Sequence, residues 1–171
     1  MMPKTKPIRN GKFRIFVDGS YDDKVNIGTV AYHMQNIVNF ENRVINVCVH
    51  NKTFAQKVDC KHSVDAELKA IKLGFDTFNK MVKVHPILNK LPTRIKSDNV
   101  PIIKYITKGK WKDDVDFDDS LLDDLNLLKE EYANIRQKHS NFKLSYIPSK
   151  KNLAHNNAYE MLQWERGVNN E

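Results

Sequence analysis

The stretch FRIFVDGS (13–20) lies near the start of the chain and decides how the rest is interpreted. Phe13, Ile15 and Val17 recur at the two-residue period of a β-strand. The run ends in Asp18 and a glycine. Such a pair commonly turns the chain. A carboxylate at the carboxyl end of a strand also lies where open α/β sheets bind their ligands.

The order of the predicted elements indicates the fold class. Strand-like segments come first, and the segment from Thr53 either extends them or forms a loop. Helices with Ser63 and Ser120 as predicted N-caps then alternate with short strands. This order predicts an α/β fold: a five-stranded mixed sheet, its first three strands antiparallel, with helices on both faces. We place strands at 12–18, from 26, from 43, at 93–98 and from 141, and helices at 63–84, from 100, from 120 and from 152.

The length of 171 residues predicts one domain. We expect a flexible basic arm over 1–11, the domain over 12–165 and a tail over 166–171. No apolar run approaches the ~20 residues of a membrane span, and the N-terminal segment lacks the apolar core of a secretory signal. Two isolated cysteines suit a reducing compartment. We therefore expect a cytoplasmic protein without a membrane partner.

Charge is distributed unevenly along the chain. The formal net charge is +7, although residues 111–124 carry seven aspartates and one lysine. Residues 1–14 carry five cations and no acid. A basic surface favours polyanions such as nucleic acid, but it also occurs on soluble proteins with other partners.

Three carboxylates fall on otherwise apolar surfaces. Asp18 and Asp98 each end a predicted strand, and Glu67 begins the apolar stripe of the first helix. Each acid alone has a structural explanation, such as free N–H groups in a first helical turn. Converging together, they would repel one another unless a cation lay between them, and oxygen ligands suit Mg²⁺ or Mn²⁺. With a basic surface, this arrangement indicates phosphodiester hydrolysis, with one metal ion activating water and a second stabilising the leaving oxygen.

Four segments, IFVDGS, SVDAELKAIKLGF, IKSDN and YIPSKKNLAHNNAYEML, resemble in order and spacing the four motifs of the ribonuclease H family. The resemblance covers about residues 12–163 and is nearest to the plant-type, reverse-transcriptase-like branch. It implies a five-stranded mixed sheet whose second strand is antiparallel to the others. It also implies Mg²⁺-dependent endonucleolytic cleavage of RNA in RNA–DNA hybrids.

The resemblance also assigns roles to residues. Asp18 matches the carboxylate that bridges the metal ions, Glu67 the helix glutamate and Asp98 the aspartate after the fourth strand. The family's last motif reads roughly N-x-x-A-D-x-L-A, and aligning NLAHNNAY with it places Asn156 at the fourth acid. A neutral amide offers one oxygen without charge, so the metal ion nearer the leaving group should bind more weakly.

Other residues are predicted around this centre. Glu160, one helical turn beyond Asn156, could supply the missing charge. His155 could handle protons or product, or could simply pack on the inner face of its helix. Trp111 could stack on a base or pack on the domain. The predicted nucleic-acid contacts are Gly19, Ser20, His62, Ser63, Asn99, Lys110, Trp111 and Lys112.

Three functions remain open from the sequence. The first is a nuclease of the ribonuclease H type that acts on RNA–DNA hybrids. The second is a nucleic-acid-binding module on the same fold, disabled at Asn156. The third is a relative that cuts another substrate, such as branched or single-stranded DNA, because a fold does not fix its substrate.

Overall fold

A computed structural model describes residues 10–40, 43–46, 53–109 and 119–169. Part of the predicted third strand and the predicted contacts Lys110, Trp111 and Lys112 lie outside these ranges. The strands are β1 (Asn10–Asp22), β2 (Ile27–Phe40), β3 (Arg43–Asn46), β4 (Thr53–Val58), β5 (Thr93–Ser97) and β6 (Phe142–Tyr146). The helices are α1 (Ser63–Val84), α2 (Val100–Lys108), α3 (Asp119–Lys138) and α4 (His155–Asn169), with short 3₁₀ turns at Pro86–Lys90 and Ser149–Lys151.

The sheet has the order β3-β2-β1-β5-β6, and β4 also pairs with β2. β3 pairs with residues 37–40 of β2 and β4 with residues 28–33, both antiparallel. The two strands therefore share one edge of β2 and occupy a single position, so the sheet has five positions. β1 is antiparallel to β2 and parallel to β5, which is parallel to β6. This architecture confirms the predicted fold class, and the segment from Thr53 extends the sheet.

Alternation along β1 separates the two faces of the sheet. Phe13, Ile15 and Val17 join the large core cluster beneath α1, α2 and α3, which we call the α1 face. Phe16 points to the other side, where it packs with Ala31, with Ala158 of α4 and with Ala154 just before that helix. We call this the α4 face. Helices therefore cover both faces, as predicted.

Several local predictions differ from the structure. Ser63 and Ser120 lie inside their helices, and the N-cap of α1 is His62. The side chain of His62 makes no capping bond; instead Asp65 accepts a 3.0 Å hydrogen bond from the backbone N–H of Lys61. This hydrogen bond, accepted by an acid in the first turn from the segment before the helix, is found where a serine cap was expected.

The first strand and the last helix also have other bounds than predicted. β1 begins at Asn10 because β2 is long enough to pair with it there, so Asn10 and Gly11 belong to the sheet rather than to an arm. α4 begins at His155 and continues to Asn169, through the first residues of the expected tail. The division into arm, domain and tail otherwise stays a prediction. Among the described residues, no helix is long and apolar enough to cross a membrane.

Candidate metal centre

Two parallel strands bring Asp18 and Asp98 to the same edge of the sheet. Residues 13–16 of β1 pair in register with residues 93–96 of β5. Continuing that register places Asp98, directly after β5, beside Asp18. The carboxylates of Asp18 and Asp98 therefore lie side by side, as predicted from their positions at the ends of two strands. Asp18 is 2% exposed, and Asp98 is half-buried.

Gly19 lets the third carboxylate approach this edge. Neighbouring residues of a strand point to opposite faces, so Gly19 faces α1 where Asp18 faces α4. A Cβ at Gly19 would overlap the backbone carbonyl of Ala66 and lie 2.8 Å from the backbone nitrogen of Glu67. The absence of a side chain therefore allows the first turn of α1 to sit directly on β1. This contact carries Glu67 to the strand ends and gives Gly19 a packing role besides its predicted contact with nucleic acid.

The electrostatics of the three carboxylates show that they are close together. Burial, together with the charges of Asp18 and Asp98, raises the pKa of Glu67 to about 9. Burial also raises the pKa of Asp18 to about 6, with Asp98 adding to the rise and a hydrogen bond to His155 opposing it. Oε2 of Glu67 is buried and has no hydrogen-bond partner in the described part of the chain. We call Asp18, Glu67 and Asp98 the carboxylate cluster.

His155 completes a group of possible metal ligands. One ligand atom each from Asp18, Asp98 and His155 lie within 4.8 Å of one another. Nδ1 of His155 is 2.7 Å from Oδ2 of Asp18, although the two residues are 137 positions apart. The two aspartates and one histidine thus form a donor set that could hold a divalent cation.

Polar contacts at the start of α4 fix the position of His155. Asn152 is buried; its Nδ2 donates to the carbonyl of Val17 at 2.9 Å, and its Oδ1 accepts from the N–H of Ala154 at 3.1 Å. The hydroxyl of Thr29 donates to the carbonyl of Ala158 at 2.8 Å. Both alanines are fully buried, so this end of α4 lies tightly on the sheet.

The structure changes the alignment of the last motif. His155 and Asn156 are both exposed, but it is the side chain of His155 that reaches Asp18. If one residue is left out between the motif's asparagine and its first alanine, Ala154 and Ala158 match the two alanines of A-D-x-L-A. His155 then stands at the acid. The buried Ala-x-x-x-Ala spacing is the sequence signal for this register. The metal role predicted for Asn156 stays a prediction.

The remaining predicted site residues lie at varied places. Oδ1 of Asn99 caps α2 by accepting from the N–H of Ile102 at 3.0 Å. Glu160 is exposed and lies outside the group formed by the two aspartates and His155. Ser20 and His62 are half-buried, and Ser63 is exposed.

A basic groove lies beside the cluster, between α2, α3 and β6, and was not predicted from the sequence. Its volume is about 490 Å³, and Val100, two residues after Asp98, is one of its lining residues. Within the described ranges no acid lines it, and Tyr146 in its wall is 51% exposed. The signal available in the sequence was the i, i+4 pair of lysines on α2, whose partners on α3 and β6 emerge only from the fold. The basic residues that line the groove are Lys104, Lys108, Arg136 and Lys143.

Comparison with known proteins gives a structural relationship without a sequence match. No protein-family model matches the chain, and no curated protein matches it by sequence. The ribonuclease H1 of the archaeon Halobacterium salinarum superposes with a TM-score of 0.55 at 14% identity, over 89% of this chain and 98% of that one. The N-terminal ribonuclease H domain of Mycobacterium tuberculosis Rv2228c gives 0.57 at 17% identity, over 93% and 99%. LC11-RNase H1, isolated from compost, gives 0.52 at 14% identity, over 88% and 91%.

These identities are low, so the relationship concerns the course of the backbone. It agrees with the sheet order, with the helices on both faces and with the resemblance of the four sequence motifs. The branch of the family stays a prediction. The chain has the ribonuclease H fold.

Proposed function

We propose that this protein is a metal-dependent endonuclease that hydrolyses RNA in RNA–DNA hybrids. The observation that carries the proposal is the carboxylate cluster at the ends of β1 and β5. Its members come from two strands and a helix, and Oε2 of Glu67 is buried there without a partner. Burying an unpaired carboxylate oxygen is costly, and a bound cation would offset that cost. Activity on RNA–DNA hybrids is what the resemblance to the family implies.

The two aspartates and the histidine of the donor set, with the Glu67 carboxylate interacting with both aspartates, would supply mainly oxygen ligands to Mg²⁺ or Mn²⁺. Bound cations of this kind contribute activation of water and stabilisation of a leaving oxygen to phosphodiester hydrolysis. The chain's own contribution is position. β1 holds Asp18, the end of β5 holds Asp98, and the N-terminal part of α1 holds Glu67. Nδ1 of His155 lies 2.7 Å from Oδ2 of Asp18, where an imidazole N–H would donate a hydrogen bond to the carboxylate.

The basic groove supports a nucleic-acid substrate. Its four cations suit a phosphate backbone, and the exposed ring of Tyr146 suits stacking on a base. No carboxylate of the described ranges pairs with Lys104, Lys108 or Lys143. Val100, which lines the groove, lies two residues after Asp98, so a strand bound in the groove would pass near that carboxylate.

Cleavage of a labelled RNA–DNA hybrid tests the proposal. We expect cleavage that requires Mg²⁺ or Mn²⁺ and falls about 100-fold or more in Asp18→Asn, because that change removes a buried ligand. Asp23→Asn, at an exposed position in the turn after β1, is the matched control and should cleave normally. Duplex RNA, branched DNA and single-stranded DNA are tested beside the hybrid. Absence of metal-dependent cleavage of every substrate would contradict the proposal.

A second candidate is a nucleic-acid-binding module without catalysis. The contact between His155 and Asp18 favours it, because a protonated imidazole would supply the positive charge that a metal ion otherwise brings to the cluster. This alternative predicts that the hybrid is bound but not cut, and that divalent cations do not change the affinity.

A further inference from the structure

We propose that His155 is a direct ligand of the metal centre and that it makes the site prefer Mn²⁺ to Mg²⁺. This inference rests on the proposed metal centre, but concerns which ion the site selects. The observation behind it is that an imidazole, rather than the motif's carboxylate, reaches Asp18.

The spacing of the donor atoms fits two ligands of one ion. Ligands about 2.1 Å from an octahedral ion lie about 3 Å apart when they occupy adjacent positions. Nδ1 of His155 and Oδ2 of Asp18 are 2.7 Å apart, and a carboxylate oxygen of Asp98 lies within 4.8 Å of both. In the metal-free protein the two atoms share a hydrogen, which ion binding would release.

The fold places this histidine before any ion arrives. The backbone N–H of His155 donates to the carbonyl of Asn152 at 3.1 Å, and Asn152 is itself bonded to β1 through Val17. The imidazole of His155 is therefore attached to a helix end that is hydrogen-bonded to β1, the strand that carries Asp18. A ligand whose supporting contacts fix its orientation binds a metal ion more tightly than a mobile one.

The donor types decide the preference between ions. Mg²⁺ strongly favours oxygen ligands and gives up its waters reluctantly. Imidazole nitrogen binds first-row transition metals better than it binds Mg²⁺, while Mn²⁺ still accepts carboxylate oxygens. Exchanging one of four carboxylates for His155 should therefore weaken Mg²⁺ binding more than Mn²⁺ binding.

The competing explanation is that the imidazole takes the place of an ion. In that case the imidazole of His155 would pair with Asp18 and exclude an ion, and removing the imidazole would leave Asp18 free to bind one. The two explanations predict opposite effects of His155→Ala on Mn²⁺ affinity, since one loses a ligand and the other loses a competitor.

Metal titration of the full chain without nucleic acid tests the inference. Bound and free Mn²⁺ are separated by electron paramagnetic resonance, Mg²⁺ is measured by competition, and pulsed spectra report nitrogen coupled to the ion. We expect wild type to bind Mn²⁺ about tenfold or more tightly than Mg²⁺, with coupling to one imidazole nitrogen. His155→Ala should lose the coupling and about tenfold in Mn²⁺ affinity.

Two further variants separate the ligand role from simple damage to the fold. His155→Asp restores a carboxylate and should reduce the Mn²⁺/Mg²⁺ preference about tenfold without loss of total metal binding. Gln163→Glu adds a carboxylate at an exposed position further along α4 and should leave both affinities unchanged. Missing nitrogen coupling in wild type, tighter Mn²⁺ binding by His155→Ala, or an unchanged preference in His155→Asp would each overturn the inference.

These readouts also distinguish this inference from the proposed function. If Mn²⁺ binds without nitrogen coupling and the hybrid is still cut, the role of His155 is wrong and the nuclease stands. If wild type binds neither ion, the metal centre and the inference fail together. If Mn²⁺ binds with the expected coupling but no substrate is cut, the ligand role stands and the nuclease fails.

Discussion

The two faces of the sheet are held to their helices by different means. The α1 face buries a large apolar cluster drawn from three helices, including Phe75, Phe78 and Phe142. The described cluster on the α4 face contains Phe16 and three alanines. There α4 is held by polar contacts, among them the ion pair between Arg166 and Asp22. The free energy of apolar packing depends little on the direction in which side chains meet, whereas a hydrogen bond requires a defined angle between donor and acceptor. The α1 face should therefore set stability, and the α4 face the geometry of His155.

The largest effect is expected where α1 meets β1 at Gly19. Gly19→Ala should lower the free energy of unfolding by about 3 kcal/mol, because the new Cβ meets rigid backbone of α1 and cannot be relieved by a rotamer change. Urea unfolding followed by circular dichroism measures it. Gly167→Ala on α4 is the control, because nothing lies within 4 Å of a Cβ there. It should gain roughly 0.5–1 kcal/mol through helix propensity. Equal effects of the two changes would contradict the close contact.

The next effect tests the polar attachment of α4. Asn152→Ala should cost about 2 kcal/mol, because it leaves the buried carbonyl of Val17 and the N–H of Ala154 without partners. Unfolding is measured as before, and Asn134→Ala at an exposed position on α3 is the control. Because Asn152 supports His155, the variant should also bind Mn²⁺ more weakly. If Asn152→Ala lost no more metal affinity than the control, the polar contacts of Asn152 would not determine the position of His155.

A gain in stability is expected from a change at Glu67, the member of the carboxylate cluster that α1 contributes. Glu67→Gln removes a buried carboxylate and should raise the free energy of unfolding of the metal-free protein by roughly 2 kcal/mol at pH 8. The folded-state pKa of Glu67 lies above its ordinary value. Wild type therefore loses stability as the pH rises from about 4.5 to about 9, and the variant loses less. The difference should nearly vanish at pH 4.

Chemical denaturation in a chelating buffer across this pH range measures the gain. Glu130→Gln, at an exposed position of α3, provides the comparison and should show little pH-dependent change. In saturating Mn²⁺ the sign should reverse, since wild type then gains the binding energy that the variant loses. If Glu67→Gln were less stable than wild type at pH 8 without metal, the ionised Glu67 carboxylate would not destabilise the metal-free protein.

The smallest effect concerns the basic groove on the α1 face. Lys104→Ala should lower the slope of the logarithm of hybrid affinity against the logarithm of salt concentration by about 1, because one phosphate contact is lost. Binding is measured with a chelator present, so that the hybrid stays intact. Lys83→Ala, in the last turn of α1, is the matched control and should leave the slope unchanged. Equal slopes for the two variants would place the nucleic acid elsewhere.

Much of this arrangement can be predicted from local patterns. The alternation in β1 and the helical spacing after Ser63 gave the fold class, because period and burial are linked residue by residue. The convergence of Asp18 and Asp98 followed from parallel neighbouring strands. The helix glutamate followed from an apolar stripe that begins with an acid.

The register of the last motif could not be predicted in this way. His155 and Asn156 are adjacent polar residues, and a loop one residue shorter decides which of them reaches the site. Only the contact with Asp18, 137 positions away, resolves the choice. The basic groove was missed for the same reason, because its cations lie on three elements that are separated in the chain.

Asp18 and Gly19 also place a demand on the folding of β1. A slip of one residue in its pairing would turn the carboxylate toward the backbone of Ala66 and the glycine toward α4, since every side chain changes face. The misaligned sheet would bury a charge against a carbonyl and have no ligand at its edge. The two residues that form the site therefore also discriminate against the wrong strand alignment, so that correct pairing and a complete metal centre are selected together.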